Sequence, residues 1–228
     1  QSPNQDRQLS KQLVEISGIA CLDTARLACV QDEKGRIYII SFPEAEIEEQ
    51  IVFADHGDFE GIAVVDKTAW ILKSSGDLYK VDDFLEKTKV RTTKFETELS
   101  KKNDTEGLTF DAAHKRLLIA CKGYPFIDSD HGKHKRAIYE FDLEKEALNP
   151  TPLFILDLDE IKDFRGYNTM TKWGIKLLSR IDQNKGDVSF QPSDLAIHPF
   201  TKNIYVIGSV GDLLVILNPD GNVLAMID

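Results

Sequence analysis

The sequence predicts an all-β fold, a β-propeller built from four-stranded blades. The first observation is a unit that recurs along the chain with a period in the forties. The second is that each unit consists of short runs rich in β-branched and aromatic residues, separated by turn signals. Three or four short antiparallel strands in a repeat of this length are typical of propeller blades.

Four units align, and each opens with polar residues followed by an apolar strand, a turn and a second apolar strand. The openings read "EISGIACLD", "DFEGIAVVD", "DTEGLTFD" and "QPSDLAIHP". From Gly18 to Gly61 is 43 residues, and from Gly61 to Gly107 is 46. From Gly107 to the matching Asp194 is 87 residues, about twice the period. The spacing predicts blades that start near residues 15, 58, 104 and 191.

The double spacing before the fourth unit indicates either a degenerate blade or an insertion. We favour a third blade elaborated by an insertion, with a short helix near residues 157–180, because "LDEIKDF" has a helical or loop-like pattern. Rings of fewer than about five blades are uncommon among propellers, which take 4–8. We therefore expect five blades, or six, with the last incomplete at the C-terminus. The alternative is that the N-terminal strand closes the ring.

Composition and charge restrict the function classes. The chain has 228 residues, 42% of them hydrophobic, enough for one domain with a sizeable core, predicted over residues 12–228. Residues 1–11 are polar and predicted to be disordered. The formal net charge of −10 argues against nucleic-acid binding, which needs a basic surface. The absence of a long apolar run argues against a membrane-spanning helix, and we expect a monomer.

The polar start at Gln1 resembles the beginning of a processed chain. It favours a periplasmic or extracellular location, with a lipid anchor before processing, over a trimmed cytosolic protein. The three cysteines do not decide the compartment, because at least one of them is unpaired. Whether Cys21 and Cys29 face each other depends on the length of the turn between them.

The residues just before each inner strand are the candidate site, since propeller geometry brings these positions together at the mouth of the central channel. Several carboxylates that converge on one axis repel each other, and a divalent cation relieves that repulsion. The sequence therefore predicts a metal site, calcium or magnesium, with Glu60, Glu106 and Asp194 as ligands. The alternative is that these acids bind backbone N–H groups or face solvent. Residues in equivalent positions on the rim are Ser17, Ser193, Glu15, Asp58 and Asp104.

Two lysines, Lys73 and Lys122, follow the second strand of their repeats. They are predicted either to bind an anion or pair with the glutamates, or to be solvated surface residues. The predicted ligand-binding set is thus Ser17, Asp58, Asp104, Lys73 and Lys122. His56 is the histidine nearest to this site and a candidate general base. Familiar hydrolase and nucleotide-binding motifs are absent, so no catalytic residue is assigned.

The ordered series "ISGIACLD", "DFEGIAVVD", "NDTEGLTFD" and "QPSDLAIHP" resembles the SdiA-regulated, YjiK-like family of bacterial propeller proteins. The resemblance extends from about residue 12 to the end of the chain. It implies an envelope-associated propeller with Glu60 and Glu106 facing the channel, and calcium as a candidate cofactor. The fourth motif departs from the pattern, because Ser193-Asp194 replaces Glu-Gly, and a closing Pro-Glu-Gly-Ile-like repeat is missing.

Two functional hypotheses follow. The first is an envelope-associated binding propeller that recognises a small molecule, a glycan or an envelope protein. The second is a calcium-dependent hydrolase, similar to a lactonase or a phosphoesterase, in which the channel-mouth carboxylates hold the metal.

Overall fold

The computed structural model describes residues 7–86, 90–161, 190–210 and 212–227. Within these ranges the chain forms four antiparallel sheets, arranged as propeller blades. Blade 1 consists of β1 (Ile16–Cys21), β2 (Arg26–Gln31), β3 (Lys34–Ser41) and β4 (Ile47–His56). Blade 2 consists of β5 (Phe59–Val65), β6 (Thr68–Lys73), β7 (Leu78–Asp82) and β8 (Arg91–Phe95). The first strand of each sheet is the inner strand, so the predicted all-β propeller architecture is confirmed.

Blades 3 and 4 follow the same order, with one irregularity in blade 3. Blade 3 contains β9 (Thr105–Asp111), β10 (Arg116–Cys121) and β11 (Lys135–Asp142), and β12 (Ala147–Leu148) and β13 (Phe154–Asp157) share its outer position. Both short strands pair with β11. Blade 4 contains β14 (Gln191–Ile197), β15 (Ile204–Val210), β16 (Leu213–Leu217) and β17 (Val223–Ile227).

The prediction of five or six blades is wrong for the described part of the chain, which contains four. The long spacing before blade 4 does not hold another sheet in the described ranges. Part of it is taken up by the long connection between β10 and β11 and by the divided outer strand of blade 3. Residues 158–161 are helical, and the rest of the helical insertion predicted at 157–180 lies outside the described residues.

From residue 7 onward, the described part of the N-terminal segment adds no strand to any of the four sheets. Its described part begins at residue 7 and includes a short 3₁₀ helix, Lys11–Leu13. Leu13 is 3% exposed and packs against Cys29, Tyr38 and Ile40 on blade 1. The segment therefore covers the face of blade 1 that points away from blade 2. The part of the predicted disordered segment at residues 1–6 lies outside the described residues.

Neighbouring blades bury their faces against each other, and this supplies the core. Ile37 and Ile39 of blade 1 pack against Ile71 of blade 2 in one cluster of buried side chains. A second cluster joins blades 2 and 3, and a third joins blades 3 and 4. The apolar runs that predicted strands from the sequence are therefore buried on both sides of the sheet, as stacked blades require.

The inner strands approach each other closely at a glycine in each of the first three blades. A Cβ on Gly18 would lie 2.8 Å from Gly61 Cα, and one on Gly61 would lie 2.8 Å from Leu108 Cβ. A Cβ on Gly107 would lie 2.9 Å from Asp194 Cα. Real Cβ atoms do not come this close to a neighbouring backbone, so only glycine allows this contact.

The contact between blade 4 and blade 1 differs from the contacts between the other neighbouring blades. The inner strands β1 and β5, β5 and β9, and β9 and β14 are in close contact, whereas β14 and β1 are not. We call the space between β14–β15 of blade 4 and β1 of blade 1 the seam. Between blades 3 and 4 one main-chain hydrogen bond is also missing, because Phe59 and Thr105 donate their N–H groups to the preceding blade and the equivalent Pro192 has no N–H group.

We predict that Gly18→Ala destabilises the protein by about 1–3 kcal/mol, because the new methyl group must displace the backbone of blade 2. The contacts it would meet are Gly61 Cα and Ile62 N, both at 2.8 Å. Urea unfolding followed by circular dichroism measures the effect, and an unchanged midpoint would contradict this packing of the inner strands.

Candidate functional site

A β-bulge positions one side chain of each blade at the mouth of the central channel. In blade 2, Phe59 pairs with Lys73 and Gly61 with Leu72, so Glu60 is the extra residue between two consecutive pairs. The same irregularity leaves Ser17, Glu106 and Ser193 unpaired in the other blades. A bulge bends its strand and redirects a side chain, and bulges are common beside active sites. The repeated Glu-Gly opening is thus a bulge followed by a packing glycine.

These side chains line a pocket of about 430 Å³ at the channel mouth, which continues into the seam. Its lining combines five carboxylates, three serines and three isoleucines. They are Glu15, Asp32, Glu60, Glu106, Asp194, Ser17, Ser193, Ser209, Ile16, Ile19 and Ile207. The predicted metal ligands Glu60, Glu106 and Asp194 therefore do share one pocket, as does Ser17.

Lys122 neutralises one of the two central glutamates. Its Nζ donates a hydrogen bond to Glu106 Oε1 at 2.8 Å and lies 4.0 Å from Asp104 Oδ2. The hydrogen bond to Glu106 raises the pKa of Lys122, so the ammonium group stays charged. Burial raises the pKa of Glu106, and Lys122 opposes that effect. Lys122 and Asp104 support the pocket from its edge and do not line it.

Among the described residues, no lysine or arginine is hydrogen-bonded to Glu60. Burial raises its pKa to about 8, and the charge of Glu106, a hydrogen bond with Asp58 and the charge of Asp32 act in the same direction. Asp58 also accepts a hydrogen bond from the Ser74 hydroxyl. At neutral pH Glu60 is therefore mainly protonated, in a pocket where its neighbours are acids.

Asp32 is a site residue that the sequence reasoning missed. It directly follows β2, lines the pocket, and its Oδ1 is buried without a hydrogen-bond partner. Ser74, Lys122 and Ser209 occupy the equivalent position in the other blades, as the pairs formed by each bulge show. Counting along the second strand from the residue opposite each glycine would have found Asp32.

Counting residues along the second strand in the same way shows that the two lysines, which the sequence analysis treated as equivalent, occupy different positions. Lys73 pairs with Phe59, whereas Lys122 lies one position further along its strand. Lys73 Nζ lies 5.9 Å from the centre of the Phe59 ring, and Lys73 does not line the pocket. Asp58 also lies outside the lining, held by Ser74. His56 Nδ1 is 3.2 Å from the Glu33 carbonyl oxygen and exposed, away from the pocket.

The remaining rim residues are held by hydrogen bonds to the backbone. Ser17 Oγ donates to the Phe59 carbonyl oxygen at 2.5 Å, and Ser193 Oγ donates to that of Ile207 at 3.3 Å. Asp194 Oδ1 accepts the N–H of Leu195 at 2.8 Å. Burial nevertheless raises the pKa of Asp194 to about 6. The serines are therefore fixed in place, and Asp194 is a second carboxyl group with a raised pKa.

The oxygen atoms of the pocket do not form the ligand shell of a metal ion. Among the described residues no group of three or more histidine, cysteine, aspartate or glutamate side chains is arranged to hold one. Glu106 is hydrogen-bonded to Lys122 and Asp194 to a backbone N–H, so two of the three predicted ligands already have hydrogen-bond partners. The residues in this arrangement do not fit calcium, and the calcium site stays a prediction from the sequence.

The cysteines form no disulfide. Cys21 is exposed, and Cys29 and Cys121 are buried, and all three are free thiols. Cys21 pairs with Leu27 in the β1–β2 hairpin, whereas Cys29 pairs with Ile19, so the two cysteines do not face each other. In the part of the chain that the structure covers, no helix is both long and apolar enough to cross a membrane.

Comparison with known proteins supports the fold alone. No protein-family model and no curated protein sequence matches the chain. The structure is similar to a protein of unknown function from Bacteroides thetaiotaomicron, with a TM-score of 0.56, 12% identity, and coverage of 92% of this chain and 42% of that one. It is also similar to Kuenenia stuttgartiensis hydrazine synthase, with a TM-score of 0.53, 12% identity, and coverage of 99% and 52%.

A third similar structure is Myxococcus xanthus glutaminyl cyclase, with a TM-score of 0.54, 11% identity, and coverage of 92% of this chain and 74% of that one. The chain spans about half the length of the first two structures. Identities this low and names this different show a shared propeller fold, and they do not select a function.

We predict that the Glu60→Gln variant has a higher free energy of unfolding than the native protein, and that this difference grows as the pH rises. A glutamate with a folded-state pKa of about 8 and an ordinary value of 4.5 keeps its proton in the folded protein and loses it on unfolding. Native stability therefore falls between these two pH values, whereas glutamine does not titrate. The difference should grow from near zero at the acid end to about 1–2 kcal/mol at the alkaline end, allowing for solvent screening.

Urea unfolding at a series of pH values measures this difference. Glu98→Gln, which changes an exposed carboxylate outside the pocket, is the control. A constant difference between Glu60→Gln and the native protein over the whole range would show that Glu60 is not held protonated by its neighbours.

Proposed function

We propose that the protein is a non-catalytic binding propeller, and that its ligand is a small molecule with a positively charged, hydrogen-bond-donating group. The observation that carries this proposal is the pocket lining of five carboxylates with one lysine at its edge. Such a lining is complementary to a cation, and it repels an anionic substrate.

The protonation of the pocket supports this proposal. The raised pKa values of Glu60 and Asp194 show that negative charge is disfavoured there while no cation is present. A bound ammonium or guanidinium group would stabilise the ionised form of Glu60 and offer a hydrogen bond to the unpartnered Asp32 Oδ1. The serines at the rim add hydroxyl groups that fix the orientation of such a ligand.

The calcium-dependent hydrolase remains the alternative hypothesis. It needs three oxygen ligands to converge on one point and a metal-bound water to act as nucleophile. No residue of the described pocket forms the pair of nucleophile and hydrogen-bonded base that metal-free hydrolysis uses. An envelope location also stays a prediction that rests on the sequence.

The binding proposal makes a prediction about pH. Because a cationic ligand prefers ionised Glu60, binding must release its proton below a pKa of about 8. The affinity for methylammonium should therefore rise by up to about tenfold per pH unit between about pH 6.5 and 8, and then level off. Isothermal titration calorimetry in buffers of different ionisation enthalpy measures both the affinity and the proton released.

Glu60→Gln should remove this pH dependence and weaken binding at the alkaline end by about tenfold, the loss of one charge–charge contact. Glu98→Gln should bind as the native protein does. If neither methylammonium nor guanidinium binds at any pH tested, the proposed function is wrong.

Calcium distinguishes the two hypotheses. A ligand that binds only the folded state raises the melting temperature. We expect millimolar calcium to leave the melting temperature of chelator-treated protein unchanged and methylammonium to raise it. A clear rise with calcium that disappears in Glu60→Gln would favour the metal-dependent alternative instead.

A further inference from the structure

The pocket has a second half that its carboxylates do not explain. Where it continues into the seam, its walls are aliphatic: Ile16 and Ile19 come from β1, and Ile207 comes from β15 on the opposite side. Ile19 is 51% exposed and Ile207 is 48% exposed. Two large aliphatic side chains are thus open to the same cavity, just beyond its charged end.

Comparison with the other blades shows that this exposure is specific to the seam. The residues equivalent to Ile207 lie opposite the inner-strand glycine of blades 1, 2 and 3: Val30, Leu72 and Ala120. All three are fully buried by the next blade. Within the described ranges no inner strand packs on Ile207, since β14 and β1 are not in close contact. The seam therefore keeps accessible an apolar surface that the rest of the propeller buries.

The charged part and the aliphatic part of the pocket are together complementary to a single kind of ligand. The channel end presents Glu60, Glu106 and Asp32, and the seam adds the aliphatic side chains of Ile16, Ile19 and Ile207 to its serines and Asp194. Charge complementarity requires the ligand's cation at the first end, and burial of apolar area favours a hydrocarbon part at the second. The lining residues that the structure describes include no aromatic ring on which a sugar could stack, so this part of the pocket does not favour a glycan.

We propose that the seam is the specificity pocket of the binding site, and that the ligand is an amphipathic cation whose hydrocarbon chain lies between Ile19 and Ile207. This inference rests on the proposed function and adds the apolar part of the ligand to it. The volume of about 430 Å³ falls within the range of small-molecule sites.

A series of n-alkylammonium ions from methylammonium to hexylammonium tests the proposal by calorimetry near pH 8.5, a pH above the pKa of about 8 of Glu60. The dissociation constant should fall roughly threefold to fourfold for each added methylene until the chain fills the seam. Ile207→Asn should flatten this dependence on chain length, because it should weaken the binding of long chains more than that of methylammonium. Ile19→Asn, on the opposite wall, should do the same if Ile207→Asn fails to fold.

Ile227→Asn is the matched control, because Ile227 is 53% exposed on β17 and does not line the pocket. It should keep the chain-length dependence of the native protein. If methylammonium binds but longer chains bind no more tightly, the seam proposal is overturned and the proposed function stands. An equal loss of affinity for every chain length in Ile207→Asn also overturns it. If no amine binds, both proposals fail.

Discussion

The close approach of the inner strands at Gly18, Gly61 and Gly107 is the constraint on which the rest of the structure depends. Because a side chain at these positions would collide with the next blade, the glycine sets the distance between blades. The residue directly before each glycine is left out of the strand pairing as a β-bulge. One local motif therefore packs the blades and also directs Glu60 and Glu106 to the channel.

Crowding of carboxylates at the channel mouth is the electrostatic consequence of this packing. Each blade also contributes a second residue, which lies at the end of its second strand. These residues differ in charge from blade to blade. Lys122 compensates Glu106 and Ser74 binds Asp58, whereas Asp32 adds another acid beside Glu60. The asymmetry places the uncompensated charge between blades 1 and 2, so a cationic ligand has a defined position in a nearly symmetric ring.

The sequence predicts the parts of this structure that depend on local pattern. Strand positions follow from apolar runs and turns, and the convergence of Glu60 and Glu106 follows from the repeat period. Asp32 was missed because the comparison of repeats matched the last residues of the apolar runs, which places Lys73 beside Lys122, although Lys122 lies one position further along its strand. The predicted number of blades was also wrong for the described part of the chain, since closure of a ring depends on contacts between its first and last units and not on the spacing within them.

Blade 4 departs from the repeat at three neighbouring positions, and all three concern its relation to other blades. Asp194 replaces the packing glycine, Pro192 cannot donate the main-chain hydrogen bond that Phe59 and Thr105 donate, and Ile207 stays exposed. A glycine is needed only where the inner strand of the next blade packs on it, and among the described residues β1 does not pack on β14 in this way. The substitution that weakens the resemblance between repeats is therefore compatible with the open seam. It adds a carboxylate to a pocket that is also lined by Ile16, Ile19 and Ile207, and an amphipathic cation requires both kinds of surface.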